Sequence, residues 1–251
     1  MVELVPIEGI PEVEGGDAIG ALVCRAAAEA GAALGADDVV VVSQKVVSKA
    51  EGRTRDLSEI EPGERAHRLA AELGKDARLV ELILAETASV VRAERGVLIV
   101  ESAQGWICAN AGVDGSNVPG SGTVTLLPAD ADASARRIRA EIRELTAAAP
   151  AVVVADSFGR PWRIGLADVA IGCAGLAPLD DWRGRPDRSG QELEATEVAI
   201  ADEVAAAADL ARDKASGTPA VVVRGLGRHV TADDGPGAAP LRRARSEDLF
   251  R

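Results

Sequence analysis

The 251 residues carry 28 lysines and arginines against 40 aspartates and glutamates, a net charge of −12, and 47% of them are hydrophobic. That apolar content supports a sizeable core, and the acidic balance argues against nucleic acid or anionic membranes as partners and for a small-molecule substrate. Cys24, Cys108 and Cys173 are odd in number and set in apolar surroundings. They read as reduced thiols of a cytoplasmic chain, with no leader pattern and no apolar run near the roughly 20 residues that span a bilayer.

Residues 2–7 read as a strand, and 17–34 as an alanine-rich helix with Asp17 as N-cap and Gly35 closing it. A short buried strand follows at 39–42. The next stretch, 43–53, looks like a charged turn. Helical periodicity returns at Ser58, with Pro62 in the first turn, and runs through Leu73 and, after Gly74, over 79–84. Strands at 88–92, 97–100 and 106–109 are close enough in sequence to pair antiparallel. A helix at 133–145, a strand at 152–155, a helix at 192–211 and a strand at 220–223 complete the set. The expected class is α+β, with mixed, largely antiparallel sheets and two intertwined subdomains within 1–225. A candidate seam lies at 128–132, and 226–251, rich in Gly, Pro, Asp and Arg, is expected to be irregular.

Two apolar runs end in an acid. Asp114 lies in Asn-Ala-Gly-Val-Asp-Gly-Ser-Asn (110–117), and Asp156 follows Ala-Val-Val-Val-Ala with Ser157 behind it. Hard cations such as Mg²⁺ and Mn²⁺ favour carboxylate and hydroxyl oxygens, and a site handling phosphates commonly uses one or two protein carboxylates. An ordinary Asx turn at Asp114 and a cap at Asp156 are the structural alternatives. Only four of the 28 basic residues are lysines, and Lys45 and Lys49 stand four apart in 43–53, suited to gripping phosphates. Neither a phosphate loop ending in Gly-Lys-Ser/Thr nor a Gly-x-Gly-x-x-Gly turn is present. Arg160 and Arg163 flank Trp162, a group suited to a carboxylate or phosphate. His67 and His229 have no identifiable triad partners and read as structural, as do the acids from Glu192 to Glu203 on the expected helix.

Six motifs together resemble the coenzyme F(420)-0:L-glutamate ligases, also called F(420):γ-glutamyl ligases. They are Pro-Ile-Glu-Gly-Ile-Pro (6–11), Val-Ser-Lys-Ala-Glu-Gly-Arg (47–53), the 110–117 segment, Asp-Ser-Phe-Gly-Arg (156–160), Asp-Trp-Arg-Gly-Arg (181–185) and Gly-Thr-Pro-Ala-Val-Val-Val-Arg-Gly (217–225). The resemblance implies a GTP-dependent ligase that adds L-glutamate to a deazaflavin coenzyme and extends its γ-linked tail through an acyl phosphate. It implies Mg²⁺ or Mn²⁺, potassium as an auxiliary ion, and a homodimer with active sites near the subunit interface. Asp114, Asp156 and Ser157 would be metal ligands, Ser157 standing where the family often has threonine. Asp114, Asp156 and Lys49 would form the catalytic set. Glu8, Gly9, Ile10 and Pro11 would line the GTP site with Gln44, Lys45, Lys49 and Asn117. The stretch Asp213, Lys214, Ala215, Ser216, Gly217, Thr218, Pro219 and Ala220 would complete it. Related actinobacterial proteins carry a further nitroreductase-like domain that has no counterpart in these 251 residues. From the residues alone, a metal-dependent phosphate-ester hydrolase and a GTP-binding module without turnover stay open.

Overall fold

The computed structural model describes residues 1–116, 122–212 and 217–249. In chain order, β1 (Glu3–Ile7) leads to α1 (Ile19–Glu29), β2 (Val39–Ser43) and α2 (Gln44–Ala50). There follow β3 (Thr54–Asp56), α3 (Glu64–Leu73), α4 (Ala77–Ala85), β4 (Thr87–Glu94), β5 (Val97–Ser102), β6 (Ile107–Ala109) and β7 (Thr123–Thr125). The chain continues through α5 (Ala131–Thr146), β8 (Ala151–Arg160), β9 (Arg163–Ala174), β10 (Asp180–Asp181), β11 (Glu197–Val198), α6 (Ile200–Leu210) and β12 (Ala220–Arg224). The architecture is α+β.

Unbroken valine runs make sense in strands covered on both faces. The main sheet has the order β1-β12-β2-β8-β9, in which β2 and β8 are parallel and the other neighbours antiparallel. Val40, Val42, Val152 and Val154 pack beneath α1 and α5, while Val39, Val41, Val153 and Val221 pack against α6. A second core gathers Leu73, Leu82, Ile83, Leu98, Val100 and Leu126 from α3, α4, β5 and the end of β7. Its sheet is β4-β5-β6, antiparallel throughout, as the close spacing of those strands suggested. Arg139 of α5 is buried and donates to the carbonyls of Pro150 at 3.1 Å and Thr231 at 2.8 Å and to Asp234 Oδ1 at 2.8 Å, so it ties 231–234 to the main sheet.

Several expected boundaries move, each for a local reason. Asp17 does not cap α1, because its carboxylate takes the Glu14 amide at 2.8 Å, and the helix begins at Ile19 and is finished before Gly31. The charged turn at 43–53 is largely helix α2, whose Val47 and Ser48 are buried. Ser58 sits in a 3₁₀ turn, and α3 waits until Glu64, with Pro62 outside it. The expected helix at 192–211 starts only at Ile200; Glu197 belongs to β11, and Glu192 and Glu194 precede it outside any helix. Strand β8 does not stop at Ala155 but continues through Asp156 to Arg160, paired with β9, a twelve-residue strand absent from the sequence reading.

Candidate active site

The carboxyl ends of β2 and β8 open onto a cleft of about 880 Å³. Openings at such strand ends are where ligands bind in sheets packed by helices. Ile10, Pro11, Lys45, Lys49, Asp114, Asp156, Ser157, Gly217, Thr218 and Pro219 all line it, so most of the described sequence candidates converge. Asn117, Asp213, Lys214, Ala215 and Ser216 lie outside the described residues. Four candidates sit elsewhere for plain reasons. Gln44 is buried, its amide donating to Ser48 Oγ at 2.6 Å and to the Leu126 carbonyl at 2.9 Å, which makes it a strut between α2 and the second core. Ala220 is buried where β12 pairs with both β1 and β2. Glu8 and Gly9 are exposed just beyond β1 and do not line the cleft.

Helix α2 presents both lysines on one side because they stand four apart. Lys45 Nζ lies 2.7 Å from Asp114 Oδ2 and donates to the Ser116 carbonyl at 3.0 Å. Lys49 is paired with Glu12. Asp114 is fixed from below by a bridge to β7, its amide and carbonyl bonded to Thr125 at 3.0 and 2.8 Å. Above, it closes an Asx turn with the Ser116 amide at 2.8 Å. Partial desolvation pulls the Asp114 carboxyl up, but Lys45 and Ser116 outweigh it and hold the group below the usual carboxylate range.

Asp156 is opposite in character. Protein crowds its carboxyl although the residue faces the cleft, and desolvation pushes it up to about 7; the Ser157 amide opposes this, and the charges of Asp168 and Asp114 add to it. Successive strand residues face opposite sides. Ser157 is therefore turned toward the α6 end, where its hydroxyl donates to Asp168 Oδ1 at 2.6 Å. Asp168 in turn pairs with Arg212, both nearly inaccessible to solvent. The bulge that inserts Ile171 into β9 sets this register, since it places Asp168 directly across from Ser157.

Asp168, Arg212 and Asn110 line the cleft and were not singled out in the sequence as ligands. For Asp168 the signal was present: an acid within Leu-Ala-Asp-Val-Ala-Ile (166–171), the same signature that exposed Asp156. Asn110 and Ala111 have φ of 54° and 53°, with Gly112 at 71°. Each non-glycine residue there costs on the order of 1 kcal/mol or more. Glycine is required at 112, where a Cβ would come within 2.6 Å of the Leu127 side chain. His229 is buried beside Arg228, whose Nε donates to its Nε2 at 2.9 Å, and takes no part in the cleft.

Among the described residues, no group of three or more His, Cys, Asp or Glu is placed to hold a metal ion by itself. The donor set nevertheless suits a hard cation shared with phosphate oxygens. It offers two acids from different elements, the desolvated Asp156 lacking a full counter-charge, and a buried Asn110 Oδ1 that accepts no hydrogen bond among the described residues.

Residues 9–225 match the family model described as F420-0:Gamma-glutamyl ligase. Three similar proteins carry the name Coenzyme F420:L-glutamate ligase. The one from Methanothermobacter thermautotrophicus is 43% identical over all of this chain and 99% of its own length. That from Methanopyrus kandleri is 44% identical over all of this chain and 97% of its own. For Haloarcula marismortui the figures are 43%, all of this chain and 96%.

Proposed function

The chain belongs to the F420-0:γ-glutamyl ligase family, and from that premise we propose that it joins L-glutamate to coenzyme F420-0 at the expense of GTP and extends the γ-linked tail. A free carboxylate is a poor acyl donor. In the proposed reaction the lactyl carboxylate attacks the γ-phosphorus of GTP, the bond from that phosphorus to the bridging oxygen breaks, and GDP departs. The amine of glutamate then attacks the acyl carbon, the bond from that carbon to the phosphate oxygen breaks, phosphate departs, and the nitrogen gives up a proton as the amide forms.

Phosphoryl transfer needs positioning and charge neutralisation more than covalent help. Lys45 and Lys49, on one helix at the cleft wall, supply mobile cations for the triphosphate, each exchanging its present acid partner for phosphate oxygens. Asp114, Asp156 and Ser157 would hold Mg²⁺ or Mn²⁺, which when bound would neutralise charge on the phosphates. Asp168 keeps the Ser157 hydroxyl aimed. Potassium as an auxiliary ion and Gly217, Thr218 and Pro219 as nucleotide contacts belong to the same reading.

The observation that carries the proposal is the convergence on one cleft of Asp114, Asp156, Lys45 and Lys49, from three separate segments, in a chain whose relatives match end to end. A homodimer fits as well. The β8–β9 hairpin rises beside the cleft with Trp162 84%, Ile164 101% and Leu166 62% exposed, an apolar arm suited to a second copy. Among the described residues, no helix is long and apolar enough to cross a membrane. Mass spectrometry of the coenzyme after incubation with GTP, Mg²⁺ or Mn²⁺ and glutamate tests the reading: glutamyl increments support it, and an unchanged coenzyme beside free phosphate favours a hydrolase.

A further inference from the structure

Asn110 is the group in the cleft to which the proposed chemistry gives no task. Its side-chain oxygen is buried and accepts no hydrogen bond among the described residues, although the residue lines the cleft. Buried acceptors without donors are rare because they forfeit their hydration for nothing. The backbone compounds the cost, with three consecutive residues in the left-handed region at 110–112. A fold that retains both features at a cleft wall is keeping an oxygen ready for something that is not protein.

The surroundings narrow the class of ligand. Cys108 is hydrogen-bonded by the Gly112 amide and also feels the charge of Asp156, so the left-handed turn and Asp156 are both near one thiol. Asp114 is four residues further on and lies within range of the Asp156 charge. Asn110 lines the same cleft as Asp114 and Asp156, and a carbonyl-type oxygen there attracts a cation and repels the phosphates of a nucleotide. Amide oxygens are ordinary ligands of hard divalent ions.

We propose that Asn110 Oδ1 is a further oxygen donor to the divalent cation assigned to Asp114 and Asp156. The inference rests on the ligase reading and adds a neutral ligand to its two acids. It also gives a use to the left-handed turn with which the chain leaves β6.

The test is binding of Mn²⁺ alone to the full chain, followed by the electron paramagnetic resonance signal of the free ion. Asn110→Gly removes the amide and suits the backbone, because glycine populates positive φ readily. Asn110→Asp keeps an oxygen in place in a residue type that tolerates the same conformation. The glycine variant should bind Mn²⁺ at least about 10-fold more weakly with a thermal transition no lower than that of wild type, and the aspartate variant should bind as tightly as wild type or tighter. Wild-type affinity in the glycine variant overturns the inference, as does an aspartate variant as weak as the glycine one. A wild-type chain that binds no Mn²⁺ overturns it too, and glutamate incorporation by the same preparation then tells whether the ligase reading stands.

Discussion

Lys45 and Asp114, brought from α2 and from the turn before β7, hold each other at 2.7 Å on the cleft wall. The pair is half-open to solvent on the Asp114 side, so its own contribution to stability is below about 1 kcal/mol. In the proposed function its use is to keep a cation where phosphate arrives. Lys45→Ala should therefore leave the thermal transition nearly unmoved and raise KM for GTP about 10-fold or more, the loss of a charge-assisted hydrogen bond. Initial rates at varied GTP check this, and an unchanged KM removes Lys45 from the nucleotide site.

Asp156 should trade stability for function. Its folded pKa, raised by desolvation to about 7, lies above that of an unfolded aspartate. The folded chain therefore retains a proton that the unfolded chain releases between about pH 4 and 7, and stability falls as pH rises through that window. Asp156→Asn removes the penalty. In chelator, the variant should be more stable than wild type at pH 8 by roughly 1–3 kcal/mol, the full shift being discounted because the cleft admits water. The advantage should vanish near pH 4, while glutamylation is lost at every pH. Urea melts at the two pH values decide, and a variant less stable at pH 8 contradicts the desolvation.

Much of the main sheet is legible in the sequence because 39–42, 151–155 and 220–223 are continuous apolar runs that only a doubly covered strand explains. Helix α2 is not, since Ser43, Gln44, Lys45, Ser48 and Lys49 resemble turn chemistry. Its helical sense comes from burying Val47 in the core of the main sheet while Gln44 bonds Ser48 and the Leu126 carbonyl, a tertiary effect. Strand β9 is hidden by Gly165, Gly172 and its bulge, which break the alternation a strand is read from. Asp114 and Asp156 are legible as acids beside apolar runs. Arg212 is not, because an arginine after a helix looks like any solvated residue until Asp168, 44 positions away, is seen to meet it.

Arg212 and Asp168 are an almost fully buried ion pair. Arg212→Ala strands the carboxylate and should cost about 3–5 kcal/mol. Replacing both partners, as in Arg212→Met with Asp168→Leu, should cost less than the single change because no charge is left uncompensated. Chemical denaturation of the two variants compares them directly. A loss below about 1 kcal/mol in the single variant contradicts the pairing.

Cys108 and Cys173 are pushed up to about 12, first by burial and then by neighbouring acids, so neither supplies thiolate near neutrality. Iodoacetamide at pH 8 should leave both unmodified in the native chain and reach all three cysteines in urea. Peptide mass mapping reads the result, and rapid native labelling of Cys108 contradicts the packing of the wall beneath Asp156.

In the proposed function this cleft couples breakage of GTP to amide formation. The most direct measurement is GDP released against glutamate incorporated, in one reaction containing F420-0, with omission of each component and with Asp156→Ala in parallel. The account predicts one GDP for each glutamyl residue added, negligible GDP when glutamate and F420-0 are both omitted, and neither product from the variant. GDP formed at the same rate without glutamate or coenzyme, or full incorporation by the variant, contradicts it.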